Sequence, residues 1–152
     1  MNADELVIRP VTAQDIPAVV ALLAADPLGV SRESPDDLTP YYAAFERLAA
    51  DPNQHPVVAE RNGQVVGTLQ LTVIPGLSRA GTTRTVVEAV RVRGDERGSG
   101  LGTRLMEWAI EESRTLGAGL VQLTSDTSRG DAHRFYERLG FTGSHVGFKL
   151  VL

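Results

Sequence analysis

Cysteine is absent from the chain. That gap excludes disulfides, thiolate metal sites and a cysteine nucleophile together. Lysine is nearly absent too: Lys149 is the only one, and every other basic residue is an arginine. A Walker phosphate loop, which needs Gly-Lys-Ser/Thr, therefore has no lysine to use. No apolar run approaches the roughly 20 residues of a membrane span. The opening stretch MNADELVIRP has acids where a secretory leader carries a basic and then an apolar run. These absences point to a cytoplasmic protein that does not bind membranes. The net charge of -4 argues against a general nucleic-acid binder. The three histidines, His55, His133 and His145, have no ligand spacing, so no metal is expected.

What is present suits one globular domain over residues 1–152, with 42% hydrophobic and 22% charged residues. Leu6 to Ile8 reads as a strand. Thr12 starts a helix with Asp15 three positions on as in a capping box, and Ile16, Val19, Val20, Leu22 and Leu23 form its inner face. The spacing predicts a second helix over Leu38 to Ala50, with Tyr42, Phe45 and Leu48 as its buried stripe. Asp26 to Asp37 between them is a loop of a length that is often functional. In 57-VVAERNGQVVGTLQLTV-73, Asn62-Gly63 between β-rich runs signals a hairpin. After a loop at Pro75 to Gly81, Thr82 to Val92 reads as a long strand. Leu101 to Leu116 is a helix ended by Gly117, with Trp108 on its core face. Leu120 to Thr124 is a strand, Asp131 to Leu139 a helix, and one or two closing strands follow from Phe141. The order is β-α-α-β-β-β-α-β-α-β-β, an α/β (α+β) fold whose middle strands are antiparallel.

The stretch 92-VRGDERGSGLGTRLMEWAI-110 places Gly94, Gly98, Gly100 and Gly102 where a strand gives way to a helix. Glycine nucleates helices poorly, so a bare backbone is wanted there for another reason. A helix N-terminus offers unpaired N–H groups and a positive dipole end, and glycines let an anion come close. Arg97 adds a fixed charge and a fork of donors. A flexible turn with a glycine cap is the plainer account. Among phosphate ligands, the G-x-G-x-G spacing, late in the chain, does not fit a dinucleotide fold. Ser99, lacking a glycine two residues before it, is not a hydrolase elbow serine.

Arg97-Gly98-Ser99-Gly100-Leu101-Gly102 resembles the R/Q-x-x-G-x-G/A signature of the GNAT superfamily of N-acetyltransferases. Downstream, 132-AHRFYERLGF-141 resembles the family's second signature, A-x-x-F/L-Y-x-x-x-GF. The strand order also matches. One departure is Arg129, where the family often has asparagine. The resemblance implies a mixed sheet of six to seven strands flanked by four helices. It implies direct acetyl transfer from acetyl-coenzyme A to a primary amine of a small molecule or peptide. A non-catalytic acyl-coenzyme A sensor on the same fold is the alternative.

By the same resemblance, Val90, Arg91 and Val92 pair with the pantetheine arm, and the Val92 N–H faces the thioester oxygen. The amides and side chains of Arg97, Gly98, Ser99, Gly100, Leu101, Gly102 and Thr103 hold the pyrophosphate. Arg129 could contact a phosphate of the cofactor or equally be a simple helix-start arginine; Ala132 and Phe135 border the cofactor, and Tyr136 takes the position of the acid that protonates the thiolate, a neutral donor at pH 7. Glu88 falls where many members carry a glutamate. In the alternation Val86, Glu88, Val90, Val92 it faces the apolar side, where burial would raise its pKa and suit a base. It could equally be paired with Arg84 or Arg91, or turned outward by a bulge. His133 reads as a surface residue, His145 as a cleft or strand residue and His55 as a loop residue. The loop around Asp26 to Tyr42 walls the acceptor site in the family. Its Glu33, Asp36, Asp37 and Tyr41 would suit a cationic amine, while solvated loop acids are the blander account. A homodimer pairing through C-terminal strands or helices is also implied.

Overall fold

The computed structural model describes residues 5–152. The chain forms two compact units, one ending at residue 122 and one over residues 123–152. Strands β1 (Leu6–Pro10), β2 (Gln54–Arg61), β3 (Gln64–Ile74), β4 (Arg84–Val92) and β5 (Leu120–Leu123) form one sheet in chain order. The helices are α1 (Ile16–Ala24), α2 (Thr39–Ala50), the single turn α3 (Ser78–Gly81), α4 (Leu101–Thr115) and α5 (Gly130–Arg138). Strands β1 to β4 are antiparallel neighbours. Strand β5 follows β4 through α4, the crossover connection that a parallel pair requires. The β2–β3 hairpin turns at Asn62 and Gly63, both at positive φ (54° and 73°), as a type I′ turn demands.

In the first unit the sheet is covered on both faces. Helix α1 packs on β3 and β4 and α2 on β2, while α4 packs on β3 and β4. Gly67 marks the α4 face, since a Cβ there would lie 3.0 Å from Leu105 Cδ1. So does Thr85, whose Oγ1 is 2.7 Å from Ser113 Oγ of α4 in a buried pair. Double coverage explains why Val57, Val58 and Ala59 are all buried although their side chains alternate. On α4, Leu101, Leu105, Met106 and Ala109 are buried and Trp108 only half-buried.

Several expectations need correcting. The sheet has five strands, not six to seven, because residues 141–152 join no strand. A strand exists only through a neighbour, and apolar alternation cannot supply one. The fifth helix, α3, falls in the expected loop and is a left-handed turn, with Arg79 and Ala80 at φ 54° and 58°. The first helix begins with a tighter turn at Ala13–Asp15 before α1 proper. On α2 no residue is fully buried, and Tyr42 is exposed; the half-buried stripe is Tyr41, Phe45 and Leu48. His55 is on β2, opposite Leu71, not in a loop. None of the described helices is long and apolar enough to cross a membrane.

One ionic cluster fastens β1 to the start of α1 and to β2. Arg9 donates from Nη1 and Nη2 to Asp15 (2.7 and 2.9 Å) and from Nε to Glu60 (2.9 Å). The Thr12 N–H donates to Asp15 Oδ2 at 2.8 Å, the expected capping-box bond. The Arg9 hydrogen bonds hold the buried Asp15 carboxyl down at about 2, against the pull of burial. A depressed carboxyl stabilises fully above its unfolded value, near 4, and the contribution fades as pH falls toward 2. A melting series should show the wild type losing ~2 kcal/mol more than Asp15→Asn between pH 4 and pH 2. Parallel pH slopes for the two proteins would refute the assignment.

Candidate active site

The loop between β4 and α4 is held from below and open above. At its base the Arg93 N–H donates to Val66 O (2.8 Å), and Arg93 Nη1 donates to Gln64 Oε1 (2.9 Å). Arg93 also clamps Asp95 through Nε and Nη2 (2.6 and 2.9 Å), which keeps that carboxyl below the usual range. Arg61 Nε lies 3.4 Å from Glu96 Oε1. Both loop acids are thus paired, Asp95 by the loop's own first residue and Glu96 by Arg61 of β2. Arg97 and Arg104 are exposed and have no ion pair among the described residues. Gly98 and Gly100 take φ 81° and 84°, whereas Gly94 and Gly102 do not need positive φ. The Ser99 N–H turns back to Glu96 O (3.1 Å) and the Arg104 N–H to Gly100 O (3.1 Å). The first-turn amides of Leu101, Gly102 and Thr103 have no intrahelical acceptor, by the geometry of any helix start. Leu101 is buried and plugs the loop into the core. Donors, dipole end and two uncompensated guanidiniums fit a pyrophosphate group.

Strand β4 is interrupted at Ala89. Gln70 faces Glu88 and Thr68 faces Arg91, so Leu69 alone spans Ala89 and Val90, and Ala89 sits at φ 55°. The extra residue resets the alternation. Before the bulge Val86 and Glu88 share the α1 face; after it Arg91 is on that face and Val92 has crossed to the α4 face with Gly67. The continuous alternation Val86, Glu88, Val90, Val92 is therefore corrected. Glu88 is exposed, so desolvation is not a reason to make it a base. Arg84 donates to Gln122 Oε1 (2.9 Å) and Arg91 faces Asp26 (3.4 Å). Both arginines are thus engaged elsewhere.

Beside the bulge lies an apolar cavity of about 180 Å³. Ile16, Val19 and Leu23 of α1, Phe45 and Leu48 of α2, and Ala89 itself line it. Gln70 also lines it, and Gln70 is the cross-strand neighbour of Glu88, so the carboxylate stands on the cavity's face of the sheet. This cavity explains why α2 buries nothing fully. Among the acids of the preceding loop, Glu33 accepts from the Tyr41 hydroxyl (3.0 Å) and Asp37 from the Thr39 N–H (3.1 Å); Asp36 is exposed. The two bonded acids thus fold their own loop.

In the second unit, α5 places Tyr136 half-buried between two rings, Phe135 at 5.2 Å and Phe141 at 6.1 Å, both edge-on. The Phe141 N–H donates to Tyr136 O (3.1 Å), fixing the turn. Ala132 is half-buried and Arg129 exposed at the helix start. His133 Nε2 lies 2.8 Å from Asp126 O and closes the turn ahead of α5. His145 is exposed, its Nδ1 2.6 Å from Ser144 Oγ.

Residues 17–141 match the model of the acetyltransferase (GNAT) family. The chain is 35% identical over 145 residues to the aminoalkylphosphonate N-acetyltransferase of Salmonella typhimurium, covering 95% of this chain and 90% of that one. It is 27% identical over 137 residues to the L-methionine sulfoximine/L-methionine sulfone acetyltransferase of Pseudomonas aeruginosa, covering 88% and 78%. A crystal structure from Bacillus halodurans C-125, described as a transcriptional regulator, superposes with a TM-score of 0.93 at 40% identity, over 97% of this chain and 100% of that one. The chain belongs to the GNAT family of acetyltransferases. It is an acyltransferase, an N-acetyltransferase, and the family implies acetyl-coenzyme A as its co-substrate.

The sequence reading allowed a bulge beside Glu88 without placing it at Ala89, and it missed the Asp26–Arg91 pair, Arg104 and the cavity. Alanine carries no mark of positive φ, and a cavity arises from elements distant in sequence; only Arg104, in the first turn of α4, was visible beside the glycines. The two left-handed glycines are testable directly. Gly100→Ala should cost roughly 1–2 kcal/mol for its positive φ and lower the melting temperature by several degrees. Gly94→Ala, which enters open space at ordinary φ, should leave it unchanged. Equal shifts at both positions would show that backbone conformation is not what Gly100 provides.

Proposed function

We propose that the enzyme acetylates a compact primary amine on a short aliphatic chain, not a polyamine. The single observation carrying this reading is the small apolar cavity at the Ala89 bulge, with Glu88 on the same face of the sheet. A long polycation would find little room there and a single carboxylate for its several charges. The printed names of the two curated relatives support the reading, since each acceptor joins an amine to a short carbon chain.

In this reading the loop amides, Arg97 and Arg104 hold the pyrophosphate, and Arg129, Ala132 and Phe135 border the cofactor. Val90, Arg91 and Val92 pair with the pantetheine arm, the Val92 N–H facing the thioester oxygen. The amine nitrogen attacks the thioester carbon, the C–S bond breaks, and the amine proton leaves through Glu88, directly or by water. Tyr136 protonates the departing thiolate. A single acetyltransferase domain over residues 1–152 and a cytoplasmic location belong to the same proposal.

Thiol release from acetyl-coenzyme A, measured with an aminoalkylphosphonate, methionine sulfoximine and spermidine, tests the acceptor class. The short-chain amines should turn over at least tenfold better in kcat/KM. Val19→Phe, which fills the cavity, should raise KM for the short amines while coenzyme A binding holds. A preference for spermidine would overturn the acceptor assignment. For the chemistry, Glu88→Gln should flatten the acid limb of the pH–rate profile, and Tyr136→Phe should lower kcat roughly 10²-fold or more. An unchanged profile in the glutamine variant would remove Glu88 from the mechanism.

A further inference from the structure

Three of the side chains that line the Ala89 cavity are polar: Tyr41, Thr68 and Gln70. Two of them have their hydroxyls committed. Thr68 Oγ1 donates to Val57 O (2.8 Å), while the Tyr41 hydroxyl accepts from the Ser34 N–H (2.8 Å) and donates to Glu33 (3.0 Å). Gln70 is different. Its Nε2 donates to Gln54 Oε1 (3.0 Å), and its Oε1 accepts no hydrogen bond from any described residue. A chain of bonds that starts at Asp51 fixes which way this amide lies. Gln54 Nε2 donates to Asp51 Oδ2 (3.4 Å), and a carboxylate can only accept, so Gln54 turns its oxygen the other way. That oxygen accepts from Thr72 Oγ1 (2.9 Å) as well as from Gln70. Gln70 must therefore present its nitrogen to β2, which leaves its carbonyl oxygen unused. Gln70 also stands opposite Glu88 in the β3–β4 register, on the face of the sheet where α1 packs.

We propose that Gln70 is a specificity-determining residue of the acceptor site, its Oε1 accepting an N–H of the substrate amine beside the Glu88 carboxylate. The inference rests on the acceptor cavity proposed above. A primary ammonium is all donor and has no acceptor of its own, so the groups that hold it must accept. Here an apolar cavity takes the carbon chain, and a charged and a neutral acceptor stand as cross-strand neighbours on its face of the sheet. Once one proton leaves through Glu88, the nitrogen keeps its other N–H groups and gains the lone pair that attacks the thioester carbon. An N–H held by Gln70 restrains rotation of the amine about its C–N bond and so limits where that lone pair points. Gln54 acts through Gln70 as a positioning residue, since it sets the orientation of the amide without lining the cavity.

Steady-state kinetics of the full chain with an aminoalkylphosphonate and acetyl-coenzyme A test the assignment. Gln70→Met keeps the length of the side chain and removes its strong acceptor. It should raise KM for the amine about tenfold or more while KM for acetyl-coenzyme A holds. Gln70→Glu, which keeps an acceptor at the same reach, should stay within about threefold of the wild-type KM. A merely structural side chain would give the reverse order, because methionine suits an apolar cavity better than a charge does. An amine KM unmoved by methionine, or raised more by glutamate than by methionine, would overturn the proposal. Should Gln70→Met fail to fold, Gln54→Leu takes its place, since it lets the Gln70 amide turn. The amine KM should again rise with that for acetyl-coenzyme A unchanged, and an unmoved amine KM would count against Gln70 just as firmly. Val19→Phe separates this inference from the reading beneath it. If that variant raises the amine KM and Gln70→Met does not, the role of Gln70 alone falls. If neither variant moves it, the acceptor cavity falls as well.

Discussion

The sheet of the first unit is covered on both faces, and β4 must serve both at once. Up to Val87 it presents Thr85 and Val87 to α4, and Val86 and Glu88 to the side where α1 packs. One extra residue at Ala89 breaks that alternation, held at a φ that an alanine adopts only when its neighbours leave no alternative. Everything at the site follows from this break. Arg91 swings onto the α1 face to meet Asp26 at the end of that helix, and Val92 turns toward Gly67 and α4. The space left beside the break is the cavity.

The second constraint is electrostatic. The loop after β4 contains two acids that would repel a phosphate, and Arg61 of β2 and the loop's own Arg93 neutralise them. Anchoring and neutralisation are one act, since the same guanidiniums that tether the loop also cancel its charge. What remains facing outward is the helix start with Arg97 and Arg104. Glycines 98 and 100 make the tight path possible through their backbone, not through any close approach, for a Cβ at either would meet open space.

Much of this was legible along the chain. The Asn62-Gly63 hairpin, the capping box at Thr12 and Asp15, the α4 helix to Gly117 and both family signatures stand where their local physics requires, because each rests on neighbouring residues alone. The tail was misread for the opposite reason. Its alternating apolar residues satisfy the pattern of a strand, yet pairing depends on an edge that the pattern does not contain. Glu88 stayed open between a buried base and a carboxylate turned outward by a bulge: counting by twos along β4 is sound until a bulge intervenes, and nothing in Glu88-Ala89-Val90 fixes where one falls.

The sequence by itself determined the family, the N-acetyltransferase class and the place of the glycine loop ahead of α4, since glycine φ, helix starts and motif spacing are local matters. Tertiary structure alone decided which way Glu88 faces, where the apolar cavity lies and how the loop acids are neutralised. Those depend on β4 meeting β3, α1 and α4 in one particular register. A register is a property of several strands together, which no single stretch of chain carries.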